Sequence, residues 1–124
     1  MKEFSRLLGI NIKIILDNII DTVNECSYNS NLIYVVKDAR TTVAKEEKRY
    51  INCSGNNGMA KGGSGDVLTG IIAGLLAQGL SSYEASCLGV YIHGLAGDCM
   101  AAKLGTYSLI ASDIIDGIPL VLRN

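Results

Sequence analysis

The sequence is poor in metal ligands. It has one histidine, His93, and four cysteines (Cys26, Cys53, Cys87, Cys99) that form no Cys-x-x-Cys pair and no Cys/His set at ligand spacing. That spacing argues against zinc. A disulfide framework belongs to a secretory context, and the start MKEFSRLLGI has no apolar run of signal-segment length. Long apolar runs are missing elsewhere too. The longest, residues 67–80, contains Thr69, glycines and Gln78, and falls short of the ~20 residues that cross a bilayer. Free thiols without an export signal make the reducing cytoplasm the expected location.

Charge is also scarce. Charged residues make up 19% of the 124-residue chain, against about 25% in average globular proteins. The balance of 11 Lys+Arg and 12 Asp+Glu offers nothing to nucleic acid or an anionic membrane. A hydrophobic content of 48% excludes intrinsic disorder. The length allows one domain, and a lone domain of this size should carry more polar cover rather than less. This is the composition of a piece that expects a neighbour.

The residues that are present divide sharply near Asn52. Thirteen of the fourteen glycines lie at or after Gly55, and residues 62–124 hold only two basic and five acidic side chains. No Ser/Pro-rich linker marks the change, so it is expected within one fold. Ile12, Ile15, Leu16, Ile19, Val23 and Cys26 recur at 3–4 spacing, predicting one helix over about residues 11–26 with Asn11 as its cap. A polar turn follows at residues 28–31. The run 32–36 (LIYVV) predicts a strand buried on both faces. Residues 41–44 and 49–52 then predict a hairpin whose charged tip, residues 45–48, is solvated. Three helices are predicted after Gly62. The first opens at Ser64 or Gly65, runs to about Gln78 and stops at Gly79; the second is capped by Ser81 or Ser82 with Glu84 and closes at Gly105; the third starts near Ser112 and Asp113 and ends near Leu122. The pattern is α/β with too few strands to close a sheet.

The chemistry concentrates in residues 58–68, GMAKGGSGDVL. Glycines at 62, 63 and 65 allow a tight turn with N–H groups turned outward. A helix follows at once, so its free N–H groups and dipole favour an anion there. Asp66 adds a carboxylate beside that spot, and phosphoryl transfer to a hydroxyl needs such a base. The same residues also suit a plain link into a helix, with Asp66 stabilising the first turn by roughly 0.3–1 kcal/mol. The spacing is neither that of a P-loop nor that of a Rossmann fingerprint.

This segment, with Gly55 and Asn56 upstream, resembles the signature of the ADP/ATP-dependent NAD(P)H-hydrate dehydratases, repair enzymes of the ribokinase-like superfamily. The similarity continues in residues 89–98 (GVYIHGLAGD) and 108–116 (SLIASDIID), and reaches back through Val35, Val36 and Lys37 to residues 3–9. The resemblance implies the C-terminal half of a ribokinase-like domain: a short partial sheet with a hairpin, packed by helices. It implies phosphorylation of the hydroxyl of hydrated NADH or NADPH from ADP or ATP, with Mg2+, and then elimination of phosphate. Asp66 matches the family's base at the substrate hydroxyl; Asn56, by its place before the glycine loop, is a candidate substrate contact. Gly63, Ser64 and Gly65 match its anion hole, Gly65 lying also near the nucleotide. Lys37, Asp38, Ala39, Arg40 and Thr41 match a nucleotide segment usually written Lys-Gly-x-x-Thr.

Asp38 departs from that pattern, placing a negative charge near polyphosphate. The greater departure is length, because the chain matches only about half of the family domain. The missing half implies a homo-oligomer or a separate N-terminal chain. Two other readings stay open: a small-molecule kinase of the same superfamily, and a non-catalytic truncated or split-gene fragment. His93 and Asp98 are expected in packing or surface roles. Gly70, Gly74, Gly89, Gly94 and Gly97 are expected to permit close helix packing, Cys53 and Cys99 to be buried, and Asn57, like Asn56, to form a turn.

Overall fold

The computed structural model describes residues 2–28 and 30–123. The chain divides into two compact units, Met1–Ile51 and Asn52–Asn124, at the point where composition changes.

The first unit opens with three short helices, α1 (Lys2–Leu8), α2 (Ile12–Asp17) and α3 (Ile19–Tyr28). The single helix expected over residues 11–26 is therefore two. Asn18, at φ −139° and ψ 47°, ends α2, and its carbonyl then accepts both the N–H and the hydroxyl of Thr22 at 2.9 Å. Asparagine competes for backbone hydrogen bonds and favours such a boundary. The break parts the predicted stripe: Ile15 and Val23 are buried, while Leu16 is 50% exposed.

Strands β1 (Tyr34–Val36), β2 (Thr42–Lys45) and β3 (Lys48–Ile51) form an antiparallel sheet in that order. The register pairs Val36 with Thr42 and Lys45 with Lys48. The hairpin thus lies one residue from its expected bounds and turns through Glu46 (φ +49°) and Glu47. β1 is not buried on both faces as expected. Only Val36 is buried, because β1 has a ladder partner on one side only among the described residues. The polar turn expected at residues 28–31 includes Asn29, which lies outside those residues.

Val23, Val36 and Ala44 form this unit's core, with Phe4, Ile19 and Tyr34 against them. Arg49 ties β3 to α3. Its guanidinium donates to Asn24 Oδ1 and to Ser27 Oγ, each at 2.7 Å, and lies 5.7 Å from the Tyr28 ring centroid.

The second unit is a helical layer. After a short 3-10 turn (Asn57–Met59) come α4 (Ser64–Ala77), α5 (Ser82–Leu104) and α6 (Ala111–Val121), all close to their predicted bounds. Ser81 and Glu84 cap α5 reciprocally, and the Asp113 carboxylate accepts the Ile110 N–H at 2.8 Å before α6. Helix α5 is central. Its buried residues, from Ala85 to Gly97, lie on more than one side of the helix, as expected of one enclosed by neighbours. Close approach is built in: a Cβ on Gly89 would come within 2.6 Å of Ile72 on α4, and one on Gly117 of α6 within 2.6 Å of the Ala96 carbonyl oxygen. No helix among the described residues is long and apolar enough to cross a membrane.

Candidate functional site

The glycine loop enters α4 through Gly63, which has φ +84° and caps the helix without a side chain. A side chain is strained in that conformation, and a Cβ would also sit 3.1 Å from Ala111 Cβ. Ser64 is the first helical residue and is buried; its N–H donates to the Lys61 carbonyl at 3.3 Å. Among the described residues no acceptor meets the N–H groups of Gly62, Gly63, Gly65 or Asp66. The loop and first turn therefore carry free donors at the positive end of a 14-residue helix. Asp66 stands exposed in that first turn. Lys61, just before the glycines, donates its ammonium to the Tyr107 carbonyl at 2.8 Å.

The start of the loop is held from α5. The Asp98 carboxylate accepts the Gly55 N–H at 2.8 Å through Oδ2 and the Asn56 Nδ2 at 2.9 Å through Oδ1. Asn56 Oδ1 accepts the Gly58 N–H at 3.0 Å. These partners fix which way the Asn56 amide points and commit it to shaping the loop. Gly58 is buried under residue 106, where a Cβ would come within 2.6 Å of the Thr106 carbonyl oxygen. Asn52, also buried, donates to the Ser54 carbonyl at 2.9 Å.

Four residues of α5 meet this loop: His93 at Ser64, Gly94 at Ser54, Gly97 at Met59 and Asp98 at Gly55 and Asn56. Spacing of i, i+1, i+4 and i+5 puts them on one side of a helix. Asp98, expected in a packing or surface role, is the acceptor that holds the loop. Of the five glycines expected to allow close packing, Gly89, Gly94 and Gly97 do so, but Gly70 and Gly74 have nothing within 4 Å of a Cβ; they face outward on α4.

The residues of the candidate nucleotide segment lie in the first unit, in the connection from β1 to β2. Lys37, Asp38, Ala39 and Arg40 are exposed and Thr41 is half-buried. None has a left-handed φ, so the backbone accepts Asp38 without strain. The cysteines correct the sequence reading. Cys53 is exposed, while its neighbour Asn52 is buried, and Cys99 is half-buried. Burial pushes the Cys26 thiol up from its usual range, helped by Glu25, and also raises Cys87, partly offset by a hydrogen bond with Tyr83.

A carbohydrate-kinase family model described as NAD(P)H-hydrate dehydratase matches residues 1–120. The chain belongs to the NAD(P)H-hydrate dehydratase family. The bifunctional NAD(P)H-hydrate repair enzyme of Moorella thermoacetica is 44% identical over 123 residues, covering 98% of this chain and 23% of that protein. The ADP-dependent (S)-NAD(P)H-hydrate dehydratase of Neisseria meningitidis serogroup B is 39% identical over 114 residues, covering 90% of this chain and 38% of its own. Among solved structures, the ADP/ATP-dependent NAD(P)H-hydrate dehydratase of Bacillus subtilis, co-crystallised with ATP/Mg2+ and soaked with CoA, superimposes with a TM-score of 0.90 at 28% identity, over 97% of this chain and 45% of that one. The fold is therefore part of the ribokinase-like dehydratase fold, and the chain spans less than half the length of these dehydratases.

Proposed function

We propose that this chain supplies the phosphate-binding and base-bearing part of an ADP/ATP-dependent NAD(P)H-hydrate dehydratase in the cytoplasm. One observation carries the reading: unpaired N–H groups around Gly63 and Gly65 at the start of α4, with the Asp66 carboxylate in the same turn. The N–H groups suit the equatorial oxygens of a phosphoryl group in transfer. Asp66 takes the proton of the hydroxyl of the hydrated nicotinamide as that oxygen attacks phosphorus. The bond from phosphorus to the nucleotide breaks in the same step, releasing ADP from ATP or AMP from ADP. The phosphate ester then leaves as inorganic phosphate while the neighbouring ring carbon loses a proton to solvent, and the ring regains its double bond. Lys37, Asp38, Ala39, Arg40 and Thr41 serve the nucleotide, with Lys37 and Arg40 offering the positive charge. Asn56 acts on the substrate through the loop it shapes.

Magnesium is commonly held by one or two carboxylates together with substrate phosphates. Among the described residues no three His, Cys, Asp or Glu side chains gather as a cage. A magnesium ion brought in with the nucleotide would fit such a site and would supply neutralisation of charge on the phosphates.

The remainder of the domain, or a second copy of this chain, completes the site. Tyr107 at 96% exposure and Ile110 and Ile115 above 50% are apolar surface of the kind that interfaces cover. The chain is therefore to be assayed together with the rest of the domain, by recovery of NADPH absorbance from its hydrate at saturating ADP. Asp66→Asn keeps the shape and removes the base, and should lower turnover by about 10²–10⁴-fold. Undiminished turnover in that variant refutes the role.

A further inference from the structure

His93 is the one histidine of the chain, and it is 6% exposed in the middle of α5. Its Nε2 lies 2.9 Å from the Ser64 carbonyl oxygen and 3.2 Å from Ser64 Oγ. A carbonyl cannot donate, so the nitrogen that faces it carries the proton and is the donor. Ser64 is itself only 2% exposed, which shields this contact from competing water. It ties α5 to the residue between Gly63 and Gly65, whose N–H groups meet no acceptor among the described residues. The cap residue Gly63 contributes no side-chain hydrogen bond to this turn. The imidazole is thus a side-chain anchor for a turn that its own cap leaves unsupported.

We propose that His93 is a positioning residue for the anion site: its Nε2–H holds Ser64, and through Ser64 sets where the N–H groups of Gly63 and Gly65 point. This rests on the reading of the glycine loop as an anion hole. His93 touches no substrate, and its influence passes through the orientation of the turn. Oxyanion-type donors act by being fixed in place before the charge develops. A loosened first turn therefore weakens anion binding even when every donor is still present.

The test compares His93→Gln, which keeps an N–H donor at similar reach, with His93→Leu, which keeps apolar bulk and removes the donor. In the wild type, a long-range nitrogen–proton NMR spectrum of the single imidazole should show Nε2 protonated at neutral pH. A bare Nε2 overturns the proposal whatever the variants do. In labelled full chain, the Val67 N–H, bonded to the Gly63 carbonyl at 3.1 Å, should exchange about tenfold faster or more in His93→Leu, with the end of α4 unchanged. His93→Gln should stay within about threefold of wild type. Titration with ADP in the presence of the rest of the domain, followed on the Gly65 and Asp66 amides, should show affinity lost by about tenfold or more in His93→Leu and recovered in His93→Gln. Equal behaviour of the two variants overturns the proposal, since loss of the imidazole's shape would then be the cause. Failure of ADP to shift these amides in the wild type overturns the anion-hole reading instead, and the exchange rates then still decide whether His93 anchors the turn.

Discussion

Replacing Gly94 by alanine should destabilise the helical unit, although alanine is the better helix former. In a helix interior the exchange gains about 1 kcal/mol on propensity alone. At Gly94 the added Cβ would collide with Ser54 Oγ and lie 2.8 Å from both the carbonyl carbon and the carbonyl oxygen of Ser54. Backbone atoms cannot swing aside as a side-chain end can. Residue 54 is also pinned, by the Asn52 amide on its carbonyl and by the Asp98 carboxylate on the next N–H. Overpacking of this kind costs about 1–3 kcal/mol, and each hydrogen bond pulled out of line costs about 0.5–1.5 kcal/mol more. The net expectation is a loss of about 1–3 kcal/mol. Gly70→Ala and Gly74→Ala are the controls. Nothing lies within 4 Å of either Cβ, and neither glycine has a positive φ, so each should gain about 0.5–1 kcal/mol. Thermal unfolding followed by circular dichroism reads the sign, since 1 kcal/mol moves the midpoint by about 4–8 °C in a domain of 60–100 residues. A Gly94→Ala protein as stable as the wild type would refute the close approach of α5 to residue 54. Loss of stability in Gly70→Ala would refute the open face of α4.

Asp98→Asn should loosen the loop by about 1–2 kcal/mol, because an amide offers one acceptor where Gly55 and Asn56 present two donors; unchanged exchange protection of the Gly58 N–H would contradict this. Asp38→Gly should tighten ADP binding about fivefold, roughly 1 kcal/mol, by removing like charge from an exposed segment that needs no left-handed residue. Equal or weaker binding by calorimetry would clear Asp38 of that charge. Light scattering of the chain alone at micromolar concentration should report an oligomer, and a stable monomer would show that its exposed apolar residues need no partner.

The helices of the second unit were legible because their ends are written in local chemistry. Ser81 with Glu84, Gly79 and Gly105 each fix a terminus within one or two residues of its place, and capping depends on nothing distant. The break at Asn18 was not legible, since the apolar spacing runs unbroken across it and only the backbone hydrogen bonds show the cost. The both-sides burial expected of residues 32–36 failed for a related reason: composition does not say how many neighbours a strand has. At the site, the glycines and Asp66 stood out as a motif, whereas His93 and Asp98 did not. Their partners, Ser64 and Gly55, lie 29 and 43 residues away, a pairing that no local pattern encodes. The available signal was the spacing of His93, Gly94, Gly97 and Asp98, which share one side of α5.

That shared side also resolves a tension in the loop itself. Residues 55–66 contain five glycines, the residue type that loses most conformational freedom on folding. Such a segment would not hold its donors still, yet an anion site depends on donors fixed beforehand. The rigidity comes from outside the loop. Helix α5 is 23 residues long, enclosed by its neighbours, and touches the loop with a carboxylate at its start, two glycines that let Ser54 and Met59 sit against the helix, and an imidazole at its end. The glycines of the loop give its backbone freedom, and the side chains of α5 take that freedom away again. Substitutions along α5 should therefore alter anion binding without touching the anion, while exposed loop positions such as Gly62, whose surroundings are open, should tolerate a small side chain unless the ligand itself comes close.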